Sequence, residues 1–332
     1  MERYLFGLFY GSAVLAALLL ASLCRIAALR RKYNHIKRAF DLSVREEEAA
    51  RRKEKLYAAM LPERLLELFQ KKDTKEFLAG EGRNIRAAVL SFNVEGFSQM
   101  ARKRTAAEVF RFVNEVLEQA VPQVLFQEGA VERFADAGFR AFYLDTPGRA
   151  LASAVSVCEA MDRAEHIHGN YSIGISYGDV MAGMVGHEER MGMLTISETT
   201  GIAEFLQELA GRYRARILIS GSMRSQIPDF EKNYSSRYLG RIYLKAADLE
   251  EDLYDVYDGD PPEDKNGKRR TRLMFEKGVE LFQEQRYSDA RLHFIEVLKA
   301  NRMDRAAKEY LYLCGRYEDC GEEDASVYLE IY

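Results

Sequence analysis

The sequence has no tryptophan, and only five histidines and four cysteines in 332 residues. So few histidines leave little room for a histidine-built metal site. Cys24, Cys158, Cys314 and Cys320 form no C-x-x-C pair and no Cys/His zinc spacing, which excludes a disulfide scaffold and a zinc module. Cys314 and Cys320 read as unpaired thiols in a reducing compartment. A basic excess is missing too. The 48 Lys and Arg against 52 Asp and Glu leave a formal charge of -4, which argues against a dedicated nucleic-acid binder. What is present is a hydrophobic fraction of 47%, enough to fill a core and to exclude a wholly disordered chain.

Charge is also absent from Tyr4 to Cys24, an apolar run. At helical rise it is roughly 30 Å long, the thickness of a bilayer's hydrocarbon core. Arg25, Arg30, Arg31, Lys32, Lys37 and Arg38 follow with no acidic residue among them, against Glu2 and Arg3 on the other side. The basic flank stays in the cytoplasm, so residues 1–24 are expected to be a single-pass membrane anchor with the main domains cytoplasmic. A cleaved signal peptide fits less well, because the positive leader is nearly missing and no A-x-A site precedes Arg25. Nor does Leu23 before Cys24 suit a lipoprotein cleavage site.

No Pro or Gly occurs between Gly11 and Pro62, and charges of both signs mix along this stretch. Residues 25–79 are expected to be a basic juxtamembrane segment and a signalling or coiled-coil helix, restarted at Pro62. It is either a spacer or a dimerising helix that aligns two copies of the central domain; the heptads are too few to choose.

From 80 to 258, strand-like and helix-like runs alternate. Ile85 to Phe92 reads as a buried strand. Thr105-Ala106-Ala107-Glu108 is a capping box. It opens a helix whose broad apolar face carries Val109, Phe110, Phe112, Val113, Val116, Leu117, Val121 and Val124, with Gly129 as its C-cap. Two strands come next across an Asp136-Ala137-Gly138 turn, then a helix from Gly148 to Arg163. Tyr171–Ser176 and Val180–Val185 read as a strand pair around Tyr177-Gly178-Asp179, with Asp179 a turn residue. A helix at Thr199–Arg212 and strands at Arg216–Ser220 and Leu253–Tyr257 complete an α+β sheet layered by helices.

The polar residues 259–271, with Pro and Gly, read as a linker. Helical runs are expected at Leu273–Gln285, Ser288–Ala300 and Arg305 to about Tyr317, giving a small segment over 272–320. Gly278, Tyr287, Ala290 and Phe294 stand at tetratricopeptide spacing, though Val297 and Arg302 replace that repeat's later alanine and proline. A single repeat cannot bury its own faces, so it either caps the preceding domain or docks a protein partner. A plain helical hairpin is the other reading. His166-Ile167-His168 and Arg102-Lys103-Arg104 are expected to be surface loops rather than metal or phosphate sites.

The order of motifs in the central domain resembles the class III adenylyl/guanylyl cyclase homology domain over about half the chain. The matching stretches are Ser91-Phe92-Asn93-Val94-Glu95-Gly96-Phe97-Ser98, Glu128-Gly129-Ala130-Val131-Glu132-Arg133-Phe134 and Ile173-Gly174-Ile175-Ser176-Tyr177-Gly178-Asp179-Val180. Gly183-Met184-Val185-Gly186, Glu189-Arg190-Met191, Ile217-Leu218-Ile219-Ser220 and Leu239-Gly240 come after them in order. The resemblance implies a ferredoxin-like sheet, a homodimer with shared sites, and chemistry carried by two divalent metals held on carboxylates.

The residues for that chemistry are replaced. The family's two metal-binding aspartates align with Asn93 and Ala137, with Asp136 next door. Its base-reading lysine aligns with Arg133, and the threonine or aspartate that completes base selection with Leu194. Its transition-state asparagine and arginine align with Gly201 and Phe205, which removes the donor aimed at developing phosphate charge. The resemblance, so altered, implies a membrane-tethered pseudoenzyme that dimerises and regulates in cyclic-nucleotide-type signalling, with no cofactor and no nucleic acid. One alternative is a divergent cyclase making cyclic AMP or cyclic GMP, using Mg or Mn on Asp136 and Glu95. Another is a nucleotide or small-ligand sensor without turnover.

Overall fold

The run Ala87-Ala88-Val89-Leu90 carries no polar side chain and is fully buried, as a strand covered on both faces must be. It is the middle of β1 (Gly82–Val94). The computed structural model describes residues 80–320 apart from 165, 166, 168, 188, 189 and 245–248. It also describes Arg25, Arg30, Lys32, Lys37, Phe40, Val44, Arg45, Glu47, Glu48 and Arg51. The chain divides into two units, Met1–Leu61 and Pro62–Tyr332. In the first, the described residues are helical and exposed, and Glu47 pairs with Arg51 one turn on at 2.8 Å. The Tyr4–Cys24 run, Pro62, His166 and His168 lie outside the described residues. Among the described residues no helix is long and apolar enough to cross a membrane.

After β1 come α1 (Phe97–Ala101) and α2 (Ala106–Phe126). The capping box forms as expected: Glu108 N–H donates to Thr105 Oγ1, and Thr105 N–H to Glu108 Oε2 at 2.8 Å. The apolar face of α2 is narrower than its composition implied. Phe112, Val116, Ala120 and Val124 form a buried stripe one turn apart, whereas Phe110 is 70% exposed. The left-handed residue after α2 is Glu128 (φ 62), not Gly129. Gly129 is needed for space, since a Cβ there would lie 2.6 Å from the Tyr143 ring.

Next are β2 (Ala130–Ala135), β3 (Gly138–Leu144) and α3 (Pro147–Arg163). β4 (Tyr171–His187) is one continuous strand, so the turn expected at Tyr177-Gly178-Asp179 does not exist. Gly178 pairs with Ala87 in mid-sheet. Along the chain then come β5 (Arg190–Ile196), α4 (Glu198–Tyr213), β6 (Ile217–Ser220), α5 (Gly221–Ser225) and α6 (Phe230–Asn233). β7 (Ser236–Leu244) and β8 (Leu249–Val256) close the sheet. Its order is β2-β3-β1-β4-β6-β8-β7, with β5 paired to β4. Among the described strands only β4 and β6 run parallel. Ala88, Leu90 and Phe92 of β1 pack against α2 and α3, while Ala87 and Val89 share a cluster with Ala203 of α4 on the other face.

Residues 262–271, most of the stretch read as a linker, are helical. Pro262 is the first residue of α7 (Pro262–Gln283), where its missing N–H costs nothing. Glu263 and Asp264 in the first turn favour the helix dipole. α8 (Tyr287–Ala300) and α9 (Arg305–Cys320) stand close to where the periodicity placed them. Gly278, Tyr287, Ala290 and Phe294 are buried among these helices, and a Cβ at Gly278 would lie 2.9 Å from the Phe294 ring. The helices pack in cis. Phe275, Val279, Phe282 and Tyr310 share one core with Leu239, Ile242 and Leu253 of the sheet, and Tyr310 OH donates to Leu239 O at 2.5 Å.

Candidate functional site

The β2–β3 hairpin turns through two residues, Asp136 and Ala137, since Ala135 pairs with Gly138. Asp136 takes the left-handed conformation (φ 53) and is exposed; Ala137 is fully buried. The turn is pressed against the end of β1. A Cβ on Gly138 would lie 2.1 Å from Phe92 O and 3.1 Å from Asn93 Oδ1. Asn93 and Ala137, the two positions aligned with metal-binding aspartates, are thus brought together with the hairpin. Asn93 Oδ1 is buried and takes no hydrogen bond among the described residues. One neutral amide oxygen and a methyl group do not fit a pair of divalent cations, which need several hard, mostly charged oxygens. Among the described residues no group of three or more His, Cys, Asp or Glu is placed to hold a metal ion.

Glu95 is turned elsewhere. Its carboxylate lies against Gly211, beside Asn170 and the charges of Arg214 and Arg305. Burial pushes it above the usual carboxylate range, and those three neighbours only partly offset this.

The second wall is an ion-pair network. A bulge between Val131 and Arg133 inserts Glu132 into β2 and sets Arg133 opposite Arg140 of β3. Arg140 and Glu132 are nearly sealed from solvent and form a two-pronged pair, at 2.7 Å and 3.0 Å. Arg140 also donates to Glu204 of α4 at 2.8 Å and to Thr195 of β5 at 2.9 Å. Thr195 Oγ1 in turn donates to Glu132. Arg133, half exposed, donates to Glu204 at 2.7 Å. Two guanidiniums and two carboxylates therefore neutralise each other across β2, β3, β5 and α4. Of this set the sequence reading singled out only Arg133. Arg140 left a signal: it is the one charge in an otherwise apolar strand.

The other aligned positions stay outside the network. Leu194, next to Thr195, is 45% exposed and offers no hydrogen-bonding atom. Gly201 is exposed near the start of α4, with nothing near the place of a Cβ. Phe205 packs against the core shared with the C-terminal helices. Asp179 is a strand residue: its carbonyl accepts from Ser197 and Thr199 hydroxyls, and its carboxylate lies 3.7 Å from Arg86. Among the loop residues, Arg104 lies 5.5 Å over the Phe112 ring. Cys158 and Cys314 are buried free thiols, each pushed up to about 12, chiefly by burial.

A solved bacterial light-regulated adenylyl cyclase superposes on 64% of the chain and 62% of its own length, with a TM-score of 0.55 at 15% identity. This decides the fold. The central domain is cyclase-like. An adenylate cyclase of Dictyostelium discoideum, specific to terminal differentiation, is 20% identical over 232 residues, covering 67% of this chain and 11% of that protein. An adenylate cyclase of Anabaena cylindrica is 20% identical over 243 residues, 69% of this chain and 45% of that one. An uncharacterized protein of Mycobacterium tuberculosis is 33% identical over 151 residues, 43% and 26% of the two chains. The matches thus span less than half of each of these relatives. No protein-family model matches the chain. The central domain thus has the mixed α+β fold of that adenylyl cyclase structure, and over about two thirds of the chain its sequence is similar to adenylate cyclases.

Proposed function

We propose that this chain is a catalytically degenerate cyclase-homology protein, tethered to the membrane by residues 1–24 and extending through the helix of 25–79. On this reading it acts as a dimerising regulatory module in cyclic-nucleotide-type signalling. The observation that carries the reading is the mutual neutralisation of Arg133 and Arg140 by Glu132 and Glu204. In the resembling family this wall reads the base and stabilises the transition state. Here its cations already hold carboxylates, so a triphosphate would have to break ion pairs to gain them. Asn93 and Ala137 add no charge for a metal, and Glu95 and Asp136 do not replace them. Glu95 lies against Gly211 beside Asn170, Arg214 and Arg305, and Asp136 stands exposed at the hairpin tip.

Dimerisation is supported by the β4–β5 hairpin. Met181 pairs with Ile196 and Gly183 with Leu194 across the strands, so Met181, Val185, Leu194 and Ile196 share one apolar face. Each of the four is at least 44% exposed. An apolar face of this kind on a protruding arm suits contact with a second copy. The tetratricopeptide-like helices, docked in cis, leave Leu292 and Tyr312 exposed for a protein partner.

The test is an assay of the full chain with ATP and GTP, in Mg²⁺ and in Mn²⁺, with its mass in solution recorded alongside. A folded dimer that forms neither cyclic AMP nor cyclic GMP is expected. Turnover that Asp136→Ala abolishes would overturn the reading in favour of a divergent cyclase.

A further inference from the structure

The outer face of α9 carries a basic stripe. Arg305, Lys308, Tyr312 and Arg316 follow one another at three- and four-residue steps, and all four are exposed. Beside the stripe lies a groove of about 480 Å³, lined by Arg214, Met303, Arg305, Lys308, Glu309 and Tyr312. Its one carboxylate, Glu309, is already held by Arg212 at 3.4 Å. Arg214, Arg305 and Lys308 make no ion pair among the described residues. Glu95, Glu263 and Asp264 line a separate cavity, between the sheet and the C-terminal helices, which Arg214 and Arg305 also line and Lys308 does not. Those carboxylates offset the two guanidiniums from the cavity side, and Lys308 stays unpaired in the groove. Met303 and Tyr312, each more than half exposed, add apolar surface. A ligand matched to this groove presents carboxylates and apolar side chains together.

The sequence holds such a segment next to the groove. Residues 321–332 lie outside the described residues and continue directly from α9. They carry Glu322, Glu323, Asp324 and Glu330, no lysine or arginine, and the apolar Val327, Tyr328, Leu329 and Ile331. Gly321 comes first, the residue type that most easily reverses a chain after a helix. α9 has 16 residues and is roughly 24 Å long, whereas residues 321–332 span about 40 Å when extended, so they reach the groove. A returning chain brings its carboxylates past Arg316 and toward Lys308 before its apolar residues reach Met303.

We propose that residues 321–332 fold back along α9 of the same chain and occupy this groove, with Glu322, Glu323 and Asp324 on its basic stripe and the apolar residues over Met303 and Tyr312. Attachment to α9 favours this occupant, because a tethered segment is present at an effective concentration on the order of millimolar. The docking surface of the C-terminal helices is then covered by the chain itself, and a protein partner that uses Tyr312 has to displace the segment first. The proposal rests on nothing in the cyclase-like site and stands whether or not the chain turns over a nucleotide.

The chain has no tryptophan, so Tyr312→Trp puts a single indole in the groove. The experiment records its emission and its quenching by acrylamide in the full chain, kept in mild detergent. A blue-shifted, shielded indole is expected. Lys308→Glu, a change at an exposed side chain, should shift the emission to the red and raise the quenching while the melting curve stays as it was. Reversing the segment instead, with Glu322→Lys, Glu323→Lys and Asp324→Lys together, should do the same. Combining the two reversals restores attraction between the segment and the groove, and should restore the shielding. Lys232→Glu, outside the groove, should leave the signal unchanged. An indole as open to acrylamide as a free one in the Tyr312→Trp chain would overturn the proposal. So would shielding that persists in both reversed variants. Shielding that grows with chain concentration would overturn it in favour of the same segment from a second copy.

Discussion

Arg237 is 1% exposed, and a guanidinium so placed persists only if its charge and its donors are matched. It lies 3.0 Å from Asp255, 2.5 Å from Asp304 and 4.3 Å over the Phe275 ring. Lys268 completes the cluster through Asp255 and Asp260. Arg237→Met strands the buried Asp304 carboxylate, leaves Asp255 to Lys268 alone, and should cost about 3–5 kcal/mol, read as a lower urea midpoint. The acids titrate in opposite senses. Burial raises Asp304, but the charge and hydrogen bonds of Arg237 override it and hold the carboxyl below its ordinary 3.8. Its ionised form therefore adds stability above that value, and the gain is lost as pH falls through 3.8 toward the lower folded value. Asp260 is raised, by burial first, with Lys268 only partly offsetting it, so its ionisation costs stability and acid relieves that cost. Asp304→Asn should flatten the loss of stability below about pH 4 that the parent chain shows. An equally steep acid limb in that variant would mean Asp304 is not held by Arg237.

At the scale of elements, β4 shows both what the sequence discloses and what it hides. Caps are written locally: Thr105 and Glu108 are three residues apart, and so are Ser197 and Thr200. The Gly178-Asp179 pair has the composition of a turn, yet it lies in mid-strand for a reason set by residues far along the chain. A Cβ on Gly178 would stand 2.5 Å from the hydroxyl of Thr199, which itself donates to Asp179 O. A Cβ on Gly174 would meet backbone, 2.1 Å from Ala203 O and 2.3 Å from Gln207 N. A hydroxyl can rotate away for the loss of one hydrogen bond, about 1 kcal/mol. A helix backbone cannot, so Gly174→Ala must lift α4 from the sheet at about 1–3 kcal/mol or more. Melting temperatures should fall further for Gly174→Ala than for Gly178→Ala. The reverse order would show that α4 is not seated on β4 as described. The candidate site divides in the same way. Asn93, Ala137, Leu194, Gly201 and Phe205 were picked out by the order of motifs, as expectations about the site. The Arg140–Glu132–Glu204–Thr195 network joins four elements, and its existence depends on a bulge that no local pattern announces.

Over the whole molecule, the chain does not part at the boundary that composition suggested after Asp258. Gly-Asp-Pro-Pro-Glu-Asp-Lys reads as linker because each residue is common in loops. Lys268 nevertheless ends in the interior beside Asp255, and Gly259 is held against the Cys158 side chain. The far end of the sheet lacks a cover of its own. Leu239, Ile242 and Leu253 are buried by Phe275, Val279, Phe282 and Tyr310, and the charge of Asp255 is met partly by Lys268. Removing residues 258–332 would expose those apolar side chains and leave the Arg237–Asp255 pair without Asp304 and Lys268. The truncated chain should therefore bind a hydrophobic dye and aggregate, while the full chain loses both parts in one cooperative transition. If the chain ending at Tyr257 were instead soluble and melted sharply at the parent temperature, the helices would be an appendage. The cavity between them and the sheet would then have no rigid second wall. The single transition is expected because the helices and the distal strands share one core, and neither buries its apolar face without the other.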